Sequence, residues 1–179
     1  IRGDEPVTEQ TATGSDFLSS VCREWESLAL QAAPAARVVL LRTGLVLARE
    51  GGALPQLAFP FRLFAGGPLG SGRQYLSWIH LHDWIEMVKW AMANPRVSGP
   101  LNVTAPGAVT NAEFARTLGR ALGRPAWLKT PAFALRLLLG EMADALVLGG
   151  QRVVPEAAQS LGFVFRYDTL EPALREIYR

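Results

Sequence analysis

An α/β fold is predicted from three observations. The short continuous apolar run 37–42 suits a buried parallel strand, and 99–104 reads as a second short strand. Around them lie segments whose apolar residues recur at helical spacing. Glycine and proline punctuate nearly every junction between these segments. Strands separated by helices favour parallel pairing, and the last third of the chain reads as mainly helical.

Each element follows from local signals. Ser15 or Asp16 can cap a helix over 17–32, with Phe17, Val21, Trp25, Leu28 and Ala29 at helical spacing, and Pro34 stops it. Thr43-Gly44 ends the first strand, and Gly51-Gly52 marks a turn. The apolar stretch 54–64 reads as a helix that Pro60 kinks or divides. Asp83 opens a helix over 83–94, rich in Trp, Ile, Met and Val. Thr110-Asn111-Ala112-Glu113 is a capping box for a helix that runs through Phe114 and Leu118 to Gly123. Pro131 suits the start of a helix over 132–139. After it, 146–154 is apolar with a glycine break, and Pro155 leads a short helix ending at Gly162. Phe163-Val164-Phe165 is expected as a strand and 170–178 as a terminal helix.

Composition narrows the function. The chain has 179 residues, 49% hydrophobic and 19% charged, enough for one sizeable core. A net charge of +2 gives no dense basic patch, so no nucleic acid partner is expected. No apolar run approaches the roughly 20 residues that span a bilayer, so no membrane partner is expected either. The single cysteine, Cys22, excludes an internal disulfide framework and fits a reducing, cytoplasmic setting. The chain opens Ile1-Arg2-Gly3-Asp4 without a methionine or an opening element, which reads as the continuation of a longer protein.

The most distinctive stretch is 66–84. Its glycines permit close backbone approach, and Arg73, Tyr75, Trp78, His80 and His82 follow within a few residues. The mixture looks like the wall of a ligand site. His80-x-His82-Asp83 has the spacing of a metal cluster, but two histidines and one cysteine fall short of a ligand set, so no metal is expected. Neither a Gly-x-Ser-x-Gly elbow nor a Gly-Lys-Ser/Thr phosphate loop occurs. Residues 66–72 come after a helical run and before a strand, the reverse of the order that a pyrophosphate-binding turn requires.

Several separated motifs resemble the C-terminal half of the epimerase-like atypical short-chain dehydrogenases/reductases. They are Arg42-Thr43-Gly44-Leu45-Val46-Leu47, Pro60-Phe61-Arg62, the run from Gly66 to Tyr75, and Trp78-Ile79-His80 with Asp83. The likeness continues through Asn102 with Pro106, Asn111-x-Glu113-Phe114-Ala115, Leu146 to Arg152 and Gly162-Phe163, covering essentially the whole chain. The resemblance implies the C-terminal portion of a Rossmann-type parallel sheet, a mostly helical substrate-binding domain and a C-terminal extension. It divides the chain into 1–47, the last helix–strand unit of the dinucleotide domain; 48–130, substrate-domain loops with returning Rossmann elements; and 131–179, the extension. It implies NAD or NADP, bound with the help of a preceding N-terminal half, and a small-molecule or nucleotide-sugar substrate. A homo-oligomer is compatible with it.

The same resemblance assigns Arg42, Thr43, Gly44 and Val46 to the cofactor, beyond the carboxyl end of a parallel strand, where ligands of such sheets sit; an ordinary strand-to-loop turn is the plain alternative. It also exposes a gap. The family's Tyr-x-x-x-Lys pair, a phenol whose acidity an ammonium raises, corresponds here to Phe17-Leu18-Ser19-Ser20-Val21. The only lysines, Lys89 and Lys129, have no tyrosine four residues before them. Candidate substitutes are Arg73 as an anion clamp, Tyr75 or His80 as proton donor and Trp78 as a stacking wall. Against these stand core packing for Tyr75 and Trp78 and a local carboxylate for Arg73. A cofactor-binding sensor without catalysis and a protein-interaction domain are the competing readings. Cys22, early in a helix, is a weaker candidate nucleophile, since free cysteine is commonly a small buried hydrophobe.

Overall fold

The computed structural model describes residues 3–140 and 142–179. Its centre is a parallel strand pair, β2 (Val39–Thr43) on β6 (Gly99–Val103), with Val39 opposite Gly99 and Thr43 opposite Val103. A second parallel pair joins β3 (Leu45–Leu47) to β5 (Trp78–His80). Gly44 carries the chain from one pair to the other. Its N–H donates to the Val103 carbonyl at 3.1 Å, and the next N–H, of Leu45, donates to the Ser77 carbonyl at 2.8 Å. A Cβ at Gly44 would lie 2.7 Å from both the Ser77 carbonyl and Thr104 Cγ2, so only glycine fits this crossing unstrained.

Two short pairs complete the strands. The antiparallel pair β4 (Tyr75–Leu76) and β7 (Val109–Thr110) flanks the second sheet. The parallel pair β1 (Pro6–Val7) and β8 (Arg152–Val153) ties the start of the chain to its last third.

The helices end where local chemistry predicts. Asp16 caps α1 (Phe17–Leu30), its Oδ1 accepting the Ser19 N–H at 2.9 Å. Pro60 lies inside α2 (Leu54–Arg62) without dividing it, because the chain leaves the helix two residues later. Thr110 caps α4 (Asn111–Leu122) by accepting the Glu113 N–H, and Gly123 closes it in the left-handed region, φ 63°. Pro131 precedes α5 (Ala132–Leu139), and Ala143–Leu148 forms a π-helical turn. Then come α6 (Glu156–Ser160) and α7 (Leu170–Ile177), the latter packed on α4.

Two expectations are corrected. The helix α3 (Leu81–Ala93) is capped by the ring of His80 and not opened by Asp83. Phe163 to Phe165 forms no strand; the Phe163 ring packs edge-on against Trp90 and Phe165, with centroids 5.3 and 4.9 Å away, and the three close the core beneath α3.

Two apolar clusters hold the molecule together. One, with Leu47, Leu54, Trp78, Phe114, Leu118 and Leu174, lies among α2, α4 and α7. The other, with Ile79, Met87, Leu101 and Val103, lies under α3 and the central sheet. α1 contributes no buried residue to either. No helix of the described residues is long and apolar enough to cross a membrane.

Candidate functional site

Between α1 and the β2–β6 pair lies an open cleft of about 800 Å³. One wall is the stripe Leu18, Cys22, Trp25, Glu26 and Ala29 of α1; the opposite wall is β2 from Val39 onward. The cleft reaches the carboxyl ends of both parallel strands at Thr43, Gly44 and Thr104, with Gln151 and Val153 beside them.

Its polar residues are mostly committed to one another. Arg42 grips Glu26 with two parallel bonds, Nε to Oε1 and Nη2 to Oε2, each 2.7 Å. That fork holds the Glu26 carboxyl below the usual range and raises Arg42. Arg42 Nη1 also donates to the Glu9 carbonyl at 3.3 Å. The Glu9 side chain is buried and accepts the Asn102 N–H at 2.9 Å and, more weakly, the Ala157 N–H. Asn102, opposite Arg42 in register, donates its amide to the Val154 carbonyl at 2.9 Å. Asp16 is spent on its cap, where the Ser19 N–H and hydroxyl lower its pKa. Arg23 reaches back to the Gly14 carbonyl.

Thr104 is the exception. It is 1% exposed and lines the cleft, and its Oγ1 has no partner among the described residues. A buried hydroxyl without a partner is costly unless something outside the chain satisfies it.

The residues assigned from the sequence divide sharply. Arg42, Thr43 and Gly44 come together in the cleft, although the Arg42 guanidinium is taken by Glu26 and Thr43 Oγ1 accepts the Trp84 Nε1–H at 3.3 Å. Val46 does not reach the cleft; it pairs with Ile79 and packs into the second core cluster. None of Arg73, Tyr75, Trp78 and His80 lines this cleft, nor a smaller cavity of about 120 Å³ between α2 and α4. Arg73 is exposed, and Tyr75 is half-buried in the β4–β7 pair.

Trp78 is wholly buried and donates Nε1–H to the Gly107 carbonyl at 2.7 Å, so it has no face for a ligand to stack on. His80 is buried too. Its Nδ1 accepts the His82 N–H at 3.1 Å, which leaves the proton on Nε2, 2.9 Å from Glu176 Oε2. Its ring lies 4.2 Å from that of Tyr167. Desolvation pushes its pKa down, against the opposing pull of Glu176.

Much of the stretch 66–84 packs against the last third of the chain. Gln74 Nε2 donates to the Val147 carbonyl at 3.1 Å. Ser77 Oγ donates to the Gln151 carbonyl at 2.7 Å and accepts the Val153 N–H at 2.9 Å. Asp83, fully buried, accepts the N–H groups of Arg166 and Tyr167 at 3.1 and 2.8 Å. Its glycines serve the same end: a Cβ at Gly67 would collide with the Leu128 backbone, and one at Gly70 with Leu148. Sequence reasoning missed Glu9 and Glu26, which lie far from any motif, and Thr104, which lies between Asn102 and Pro106 of one. The signal for Thr104 was its place at the end of the expected strand 99–104, where the structure ends β6 one residue earlier.

Parallel strands whose carboxyl ends open on a ligand-sized cleft, with a helix as the facing wall, define the last part of a Rossmann-type dinucleotide-binding fold. Comparison with known proteins narrows this. The chain is 48% identical over 169 residues to the Arabidopsis thaliana "Epimerase family protein SDR39U1 homolog, chloroplastic", covering 94% of this chain and 48% of that protein. It is 43% identical over 176 residues to the Bacillus subtilis "Epimerase family protein YfhF", covering 97% and 57%. The crystal structure of human epimerase family protein SDR39U1 (isoform2) with NADPH superposes with a TM-score of 0.92 at 37% identity, over 97% of this chain and 59% of that one. A family model described as "Domain of unknown function (DUF1731)" matches residues 130–177. The chain belongs to the epimerase-like atypical short-chain dehydrogenases/reductases and corresponds to their C-terminal part. It spans about half the length of the curated relatives it matches.

Proposed function

We propose that this chain is the C-terminal part of an NAD(P)-dependent oxidoreductase or epimerase-like protein acting on a small or nucleotide-linked substrate. One observation carries the reading. The carboxyl ends of β2 and β6 meet at a cleft where a buried hydroxyl, Thr104 Oγ1, awaits a partner beside a glycine that cannot be enlarged. NADPH in the human relative's structure, and NAD in more distant ones of the same fold, support a nicotinamide cofactor. A nicotinamide ring, once bound, supplies or accepts the hydride. Thr104, Thr43 and the backbone at Gly44 are the residues of this chain that would hold and orient it. α1 would close the cleft against water. The reading keeps the division at 47 and 130, which the family match from residue 130 supports for the last segment. A reducing setting, proposed as the cytoplasm, suits the free thiol of Cys22.

Binding without turnover is the second reading, favoured by Phe17 and Val21, which line no part of the cleft where a phenol and an ammonium would be wanted. The full-length protein tests both. NADPH fluorescence titration should give saturable binding, and Thr104→Val, matched in shape, should weaken it about fivefold to tenfold, the worth of one buried hydrogen bond. Absence of NADPH and NADH binding in the wild-type protein would sink both readings. Turnover on a panel of carbonyls and nucleotide sugars separates enzyme from sensor.

A further inference from the structure

Cys22 places a free thiol on the α1 wall of the cleft. It lies in the second turn of α1, is exposed, and lines the same cleft as Thr104. The other reactive groups of that wall are engaged: Asp16 with the α1 cap, Arg23 with the Gly14 carbonyl, and Glu26 with Arg42. The Cys22 thiol has no hydrogen-bond partner among the described residues. The unpartnered, buried hydroxyl of Thr104 is independent of the thiol and points to a ligand in this space.

We infer that Cys22 is a thiol-modification site within the cofactor cleft, where exchange with a low-molecular-weight disulfide installs an adduct that excludes the nicotinamide cofactor. The inference rests on the cofactor reading of the cleft. The step balances: the Cys22 thiolate attacks one sulfur of the small disulfide, a new S–S bond forms to Sγ, and the old S–S bond breaks. The other half leaves as a thiolate and takes up the proton that Cys22 released. Excess thiol reverses the exchange. A cleft of about 800 Å³ admits a tripeptide-sized adduct, but not that adduct together with a cofactor on the same wall. Protection is reciprocal, since bound cofactor shields the thiol by the same overlap.

The test uses full-length protein, oxidised glutathione as the disulfide and NADPH as the cofactor. Peptide mass spectrometry should place a glutathione adduct on Cys22. NADPH affinity, read by fluorescence, should fall at least tenfold in the modified protein and return with dithiothreitol. Saturating NADPH should slow iodoacetamide alkylation of Cys22 at least tenfold. Cys22→Ser, at an exposed position, should take up no glutathione, and its own NADPH affinity should be the same before and after exposure to oxidised glutathione. No adduct at Cys22, an adduct that leaves NADPH affinity unchanged, or alkylation that NADPH does not slow would each overturn the inference while the cofactor reading stands. Reduced wild-type protein that binds no nicotinamide cofactor would overturn both, and that failure is visible before any disulfide is added.

Discussion

His80 shows how much one residue can be asked to do. Its ring caps α3, meets Glu176 of α7 and lies on Tyr167, so it joins three parts of the chain at a buried point. The neutral ring satisfies both nitrogens; a second proton would fall on Nδ1 and oppose the His82 N–H. Glu176, Asp83, His82 and Tyr167 are the charged or titratable groups around it. Because burial lowers its pKa in the folded state, the unfolded chain takes up the proton first as pH falls. Stability that is whole above the ordinary histidine range is therefore lost as pH drops through about 6.5 toward the folded value. Melting temperature measured from pH 7.5 to 5.5 should decline, and His80→Asn, which keeps a cap acceptor, should decline less steeply. Gly44 makes a sterner demand. Gly44→Ala must push apart Ser77 and Thr104, and calorimetry should show a loss of about 1–3 kcal/mol.

At the scale of elements, α1 is the weakly held one. It buries none of its residues, and its firmest tie to the sheet is the double bond pair from Arg42 to Glu26. Glu26→Gln breaks that charge-assisted fork, at a cost of about 1–2 kcal/mol. Amide exchange over 17–30 should quicken about tenfold, with little change in α4 or α7. The same contrast explains what the sequence disclosed. Asp16, Thr110, Gly123 and Pro131 announced helix ends because caps are local chemistry, settled within four residues. β2 was legible because its run of apolar residues, Val38 to Leu41, is short and continuous and bounded by turn signals. Asp83 looked like a cap and proved to be an acceptor for residues far along the chain, and Trp78 looked like a ligand wall and proved to be core. A side chain's partners across the fold leave no trace in its neighbours, so Arg42 could be placed at the cleft but its capture by Glu26 could not be foreseen.

The molecule as a whole is unevenly finished. The α4–α7 side is packed around a continuous core, whereas Phe17 and Trp25 of α1 stand 78% and 69% exposed, with Leu28 beside them. Among the described residues β2 pairs on one edge only. An exposed apolar helix beside an open strand edge is adhesive. The 179-residue chain by itself should therefore self-associate in sedimentation velocity. Phe17→Ser with Leu28→Ser should shift it toward monomer, since neither residue lines the cleft.

The pairing of Pro6–Val7 with Arg152–Val153 carries a consequence for how the molecule is made. Within this chain the early strand leaves the ribosome long before its partner. Glu9 cannot reach Ala157, nor Asn102 the Val154 carbonyl, until those late residues have emerged. Contacts so distant in sequence close late. The cleft floor is thus among the last parts to assemble, and a nascent chain stalled or cut before residue 152 would lack β8, α6 and α7 and with them a finished place for a ligand.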